Sequence, residues 1–117
     1  MEENNNEIIW LEKDMFMKNI GLFGEVSVDY LEILENAIEE NVIHHTFDEY
    51  LYILEGELLV FKGDEKKLLK ANEYIIIPKN TIHGSINKSG KLVKMLSICN
   101  PPFTLEDMNK IKNEKNN

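Results

Sequence analysis

The sequence has no arginine and no glutamine, and all 13 of its basic residues are lysine. They are outnumbered by 21 acidic residues, which leaves a formal net charge of −8. Such a surface repels a phosphate backbone, and without arginine it lacks the planar fork that grips phosphate or guanine through two hydrogen bonds. The composition therefore argues against a nucleic-acid partner.

The chain also has little cysteine and no long apolar run. Its single cysteine, Cys99, excludes an intrachain disulfide. No stretch approaches the roughly 18 apolar residues of a membrane span. The amino terminus is polar and acidic where a secretory signal would be basic and then apolar. These absences predict a cytoplasmic protein with no membrane partner.

A chain of 117 residues, 43% of them hydrophobic, has room for one domain with its own core. Its short apolar runs, separated by turn residues, predict an all-β barrel or sandwich. The predicted strands are residues 8–11, 26–33, 50–54, 58–61, 67–69, 74–77 and 92–99, with a hairpin turn at 62–65. In the second of these, a bulge is predicted to turn Leu31 and Ile33 to the face opposite Val26, Val28 and Tyr30. Residues 35–41 are predicted as a connecting loop.

Both ends of the chain are polar and lack apolar periodicity. We therefore expect flexible segments at residues 1–6 and 113–117 around a single domain of residues 7–112. One short carboxy-terminal helix is predicted after Thr104, which can cap it, with Asp107 near its amino end and Lys110 toward the other end.

The three histidines are His44, His45 and His83, and the first two come just before Glu49. Imidazole and carboxylate are the usual ligands of Zn, Fe, Mn or Ni in proteins. Adjacent residues of a strand face opposite sides, so His44 and His45 cannot both face a barrel interior. His45 lies four residues before Glu49 and His44 five, so an extended chain favours His45 as the ligand and leaves His44 as the alternative. The other interpretation is a pair of surface histidines.

Two segments resemble the motifs of the cupin superfamily. Residues 44–56 are similar to the first motif, in which a histidine pair precedes a glutamate and a glycine follows after six residues, as Gly56 follows Glu49. Residues 72–87 are similar to the second motif, with Pro78, His83 and Asn87 in place. The resemblance implies a cupin-like barrel, a double-stranded β-helix or jelly roll. It is closest to small single-domain cupins related to mannose-6-phosphate isomerase and to enzymes that process sugar acids.

The chain departs from these motifs at three positions. The two glycines of the second motif are replaced by Asn72 and Asn80, and asparagine best substitutes for glycine at positive φ. The first histidine of the first motif is Ile43 or Val42, depending on which histidine is its second. The resemblance thus implies three metal ligands, His45 (or His44), Glu49 and His83, in place of four. The site either holds a divalent ion with open positions or has lost its metal.

Several functions remain open at this point. The first is a metal-dependent isomerase or lyase acting on a small polar molecule such as a sugar or sugar acid. A set of two histidines and one carboxylate is also the arrangement of non-haem Fe(II) dioxygenases. The alternative is a barrel that senses or binds a ligand without catalysis. Because the apolar segment 8–11 precedes the main sheet and could pair with a neighbour's edge, we also expect a homodimer.

Overall fold

The computed structural model describes residues 8–103, which form ten antiparallel strands and no helix. The all-β prediction is confirmed. The predicted helix after Thr104 lies outside the described residues. No helix long and apolar enough to cross a membrane occurs in the part that is described. The strands are β1 (Ile8–Glu12), β2 (Met15–Phe23), β3 (Val26–Ile33), β4 (Ile38–Val42), β5 (Asp48–Glu55), β6 (Glu57–Lys62), β7 (Glu65–Lys70), β8 (Tyr74–Ile77), β9 (His83–Ile86) and β10 (Val93–Asn100).

Two sheets face each other in a jelly roll. The larger sheet has the order β1-β2-β3-β10-β5-β8 and the smaller one β4-β9-β6-β7. The two sheets enclose an apolar core to which most strands contribute, including Met15, Ile33, Ile53, Leu58 and Leu69. Each of these side chains is at most 1% exposed. Burial of this apolar surface is the main force that holds the two sheets together.

Four details of the strand prediction need correction. Strand β9, four residues long, was not predicted. Residues 38–42 form β4, because Ile38 and Val42 pair with β9, whereas a connecting loop was predicted there. Strand β2 was missed because its polar Lys18 and Asn19 interrupt the apolar pattern. The bulge predicted in β3 is absent. The β3–β10 register is continuous, and plain alternation already places Leu31 and Ile33 opposite the face of Val28.

Backbone conformation accounts for the two asparagines of the second motif. Asn72 and Asn80 have φ angles of 70° and 66°, in the left-handed region that asparagine tolerates better than other side chains. The turn geometry that glycine usually supplies is therefore retained, as the sequence predicted. The hairpin at 62–65 is likewise present, with Gly63 at φ 57° between β6 and β7.

Candidate metal centre

His44, Glu49 and His83 meet inside one end of the barrel. Glu49 begins the inward-facing row of β5, His83 opens β9, and His44 lies in the connection between β4 and β5. The Oε1 atom of Glu49 is 3.4 Å from Nε2 of His44 and 3.6 Å from Nε2 of His83. One donor atom from each residue lies within 4.8 Å of the other two. The structure thus brings together two of the predicted ligands, Glu49 and His83, with the alternative histidine.

The expected inward position of His45 is corrected by this geometry. The prediction counted an extended chain from His45 to Glu49, but residues 45 and 46 form a bend and β5 begins only at Asp48. His45 is exposed, and its Nδ1 lies 2.9 Å from Oδ1 of Asn80. His44 is therefore the second histidine of the first motif. Val42, 4% exposed, stands where the first would be.

Neighbouring groups orient two of the three side chains. The Nδ1 of His83 donates to the Thr81 carbonyl at 2.9 Å, which leaves Nε2 with its lone pair toward Glu49 when the ring is neutral. Ser97 donates from Oγ to Oε2 of Glu49 at 2.5 Å, so that Oε1 faces the histidines. The His44 ring stacks on Phe47 with centroids 4.5 Å apart, while its buried Nδ1 has no hydrogen-bond partner among the described residues.

Glu49 interacts strongly with the two histidines through hydrogen bonds and charge. Burial disfavours the Glu49 carboxylate, but hydrogen bonds and charge from His44 and His83 prevail and hold the pKa of Glu49 well below its usual range. Burial also opposes charge on His83, yet Glu49 raises its pKa above the ordinary value. A proton on His83 thus supplies positive charge next to the carboxylate. A divalent cation would supply positive charge in its place.

The spacing of the donor atoms fits a metal ion. Zinc binds nitrogen and oxygen donors at about 2.0–2.2 Å in a tetrahedron, which separates the donor atoms by roughly 3.4 Å. The separations of 3.4 and 3.6 Å between Glu49 and the two histidines match this, and all three donor atoms lie within 4.8 Å of one another. Three protein donors also leave at least one coordination position to water or a ligand.

A cavity of about 80 Å³ adjoins the triad and is partly open to solvent. Its wall includes Asp29 and Ser97, two buried polar residues that the sequence analysis missed. Asp29 accepts a hydrogen bond from Asn19, and burial raises its pKa to about 6. A signal for it was available, because Asp29 has the same parity in β3 as the inward-facing Leu31 and Ile33.

Cys99 is close to the site but takes no part in it. Its side chain is 2% exposed, and burial raises the pKa of its thiol far above the usual range. A thiol held protonated is a poor nucleophile and a poor metal ligand. Cys99 therefore behaves as a small buried apolar residue.

Known proteins are similar to the part of the chain that contains the two cupin-like motifs. The family model described as "Cupin domain" matches residues 30–99. The uncharacterized protein YdbB of Bacillus subtilis is 40% identical over 57 residues, which are 48% of this chain and 47% of that protein. The chain thus aligns with about half the length of this relative.

Solved structures share the whole architecture at low sequence identity. KdgF from Halomonas sp. has a TM-score of 0.77 at 16% identity and covers 86% of this chain and 90% of its own. A sugar phosphate isomerase of the cupin superfamily from Silicibacter pomeroyi has a TM-score of 0.68 at 14% identity, over 77% of this chain and 61% of its own. At these identities the likeness shows the fold alone.

Proposed function

The chain belongs to the cupin family, and on that premise we propose that it binds one divalent metal ion through His44, Glu49 and His83. A small molecule would occupy the cavity beside the ion. The observation that carries the proposal is the meeting of two imidazole nitrogens and one carboxylate oxygen within 4.8 Å. Two histidines and a carboxylate suit Zn, Fe, Mn or Ni, and Fe(II) is the usual occupant of such sets in oxygen chemistry.

Each residue has a distinct part in this proposal. Glu49 supplies the one negative charge among the donors, and Ser97 keeps its second oxygen turned away from the ion. His83 enters as a neutral ligand oriented by Thr81, and His44 is held by stacking on Phe47. The ion would polarise an oxygen of the bound molecule as a Lewis acid, the chemistry that metal-dependent isomerases and lyases need.

Adjacent histidines offer a matched test of the metal proposal. His44→Ala removes a ligand, so we expect its affinity for Zn²⁺ to fall at least a hundredfold, while His45→Ala keeps the affinity of the wild type. Untagged protein would be loaded with Zn²⁺, dialysed and analysed for metal per chain. One ion per chain in the wild type and in His45→Ala supports the proposal. Equal occupancy in wild type and His44→Ala, or in wild type and His83→Ala, refutes it.

One observation favours the alternative of a barrel that binds its ligand without a metal. Val42 puts an apolar side chain where the family's first motif has a histidine, which weakens any metal site there. Protein that takes up none of the four candidate metals, yet stays folded, would favour that alternative. Uptake of one ion per chain would exclude it.

We also propose that two copies associate through the outer face of the larger sheet. Neighbouring strands place Tyr50 beside Ile98, and Tyr52 beside Leu96, with no charged side chain in either pair. The edge strand β1 continues this surface with Trp10, which is 51% exposed. Light scattering at tens of micromolar is expected to give twice the 13.6 kDa of the chain. A value of one chain mass would contradict the dimer.

A further inference from the structure

The cavity beside the triad has an unusual charge for a site expected to hold a sugar acid. Three acidic side chains line it, Asp29, Glu39 and Glu49. Among the described residues no lysine lines it, and the sequence has no arginine. Sites that bind carboxylates or phosphates normally offer a cationic side chain or a set of free backbone N–H groups. Even with a divalent ion bound, Glu49 and Asp29 together offset both of its charges.

The remaining wall is mostly apolar. Apolar residues of the lining include Leu31, Leu51, Phe47 and Phe103. A sugar would bury several hydroxyl groups against them, and each buried hydroxyl without a partner costs on the order of a tenfold loss of affinity or more. Such a surface is suited to a ligand with few polar groups.

Several polar groups of the wall are already engaged in hydrogen bonds. The hydroxyl of Ser97 donates to Glu49, one oxygen of Asp29 accepts from Asn19, and Nδ1 of His83 donates to a carbonyl. These three groups are therefore not available to read the hydroxyl pattern of a sugar. In the proposed function, the metal position remains open to a donor atom of the ligand.

Aromatic rings form one side of the cavity. The ring of Phe103 lies 5.3 Å from that of Phe47 in an edge-to-face arrangement, and Phe47 stacks on His44. The Phe103 amide donates to Oγ of Ser27 at 2.8 Å, which fixes this residue at the end of the described chain. Aromatic side chains next to a metal favour a ligand ring packed against them with one donor atom directed to the ion.

Size points the same way. The enclosed volume of about 80 Å³ is roughly half that of an engineered apolar cavity that holds benzene, about 150 Å³. A single small ring would occupy this space and extend through its open side, whereas a hexose phosphate would extend much farther outside it.

We propose that the cavity takes an uncharged, compact and mainly apolar molecule with one oxygen or nitrogen donor, and that it discriminates against sugar acids and sugar phosphates. This replaces the sugar or sugar acid expected from the resemblance. The inference rests on the proposed function in one respect, because the donor atom is directed to the metal held by His44, Glu49 and His83.

Four probes separate polarity from charge: benzyl alcohol, benzoate, D-glucose and D-glucuronate. Their binding to Zn²⁺-loaded protein would be measured by titration calorimetry, with the same series on protein stripped by a chelator. We expect benzyl alcohol to bind at least tenfold more tightly than each of the other three. Tighter binding of D-glucose or D-glucuronate than of benzyl alcohol overturns the proposal, and so does no binding of benzyl alcohol to either form.

A matched pair of phenylalanines locates the binding. Phe103→Ala is expected to weaken benzyl alcohol at least tenfold, because Phe103 lines the cavity. Phe23→Ala is expected to leave it unchanged, because Phe23 is 57% exposed and lies outside the lining. Equal effects of the two variants would overturn the assignment to this cavity. If the protein takes up no metal, the proposed function fails, while the order of the four probes on the stripped protein still decides the ligand class.

Discussion

Strands β3, β5 and β10 each have a polar end and an apolar end inside the same barrel. At the apolar end, Ile33 lies opposite Val93 and Met95 lies opposite Ile53, and these side chains are at most 4% exposed. At the polar end, Ser97 lies opposite Asp29, and Cys99 opposite Glu49. Along each of these strands, the inward-facing residues thus belong to the apolar core at one end and to the cavity at the other, where Asp29 and Glu49 contribute their carboxylates.

The two ends differ in what they contribute to stability. The closed end gains from the burial of close-packed aliphatic side chains. At the open end the desolvation of the Asp29 carboxylate is only partly compensated by its hydrogen bond from Asn19. Residues that cost stability and remain in place are expected at functional sites. The difference between the two ends therefore supports a functional site at the open end, independently of any similar protein.

The largest effect is expected at the closed end. Ile53→Ala removes a fully buried side chain and leaves a cavity, so it should lower the free energy of unfolding by about 4 kcal/mol. Urea denaturation monitored by circular dichroism measures this. The control Ile82→Ala, at a side chain that is 56% exposed, should cost less than about 0.5 kcal/mol. Similar costs for the two variants would mean that the closed end is not the stabilising core.

A smaller effect of opposite sign is expected at the open end. The pKa of Asp29 is raised from 3.8 to about 6 in the folded state, so the folded protein holds this proton more tightly than the unfolded chain. Its contribution is therefore neutral below pH 4, becomes destabilising between pH 4 and 6, and is fully destabilising above pH 6. Asp29→Asn should stabilise the metal-free protein by up to about 3 kcal/mol at pH 7.5 and hardly at pH 3.8.

The difference between variant and wild type isolates Asp29, because Glu49 and His83 titrate in both proteins. Unfolding would be measured in a chelator at both pH values. Asp64→Asn, in the exposed turn between β6 and β7, serves as the control and should show no such dependence. A stabilisation by Asp29→Asn that stays constant across pH would contradict the raised pKa.

The smallest effects are expected at the two left-handed asparagines. The backbone N–H of Asn72 donates to the Ile53 carbonyl near the closed end. The backbone N–H of Asn80 donates to the His44 carbonyl at the open end, and both distances are 2.7 Å. Replacement of either by alanine should cost about 1 kcal/mol, because alanine disfavours positive φ, while replacement by glycine should cost little. Thermal unfolding measures both.

The same pair sharpens the comparison of the two ends through metal binding. Asn80→Ala disturbs the loop that holds His44, so its affinity for Zn²⁺ should fall about tenfold. Asn72→Ala should leave the affinity unchanged. An equal loss of affinity in both variants would mean that general destabilisation, and not the position of His44, is the cause.

Local patterns in the sequence determined most of the architecture. The sequence predicted that Leu31 and Ile33 face away from Val26, Val28 and Tyr30, although plain alternation suffices without the predicted bulge, because side chains of a strand point to opposite faces wherever it lies. The conformational preferences of asparagine predicted the backbone at Asn72 and Asn80. The absence of arginine already constrained the chemistry of any ligand, since no fold can supply a side chain that the sequence lacks.

Tertiary structure decided the composition of the site. Which of the two adjacent histidines faces Glu49 depends on the bend at 45–46, and that bend is fixed by contacts with Asn80, 35 residues away. The burial of Asp29 depends on Asn19 in β2 and Ser97 in β10, which flank it, and on the second sheet that faces it, whereas a sequence rule places a carboxylate outside. Such contacts join residues far apart in the chain, so no local pattern contains them.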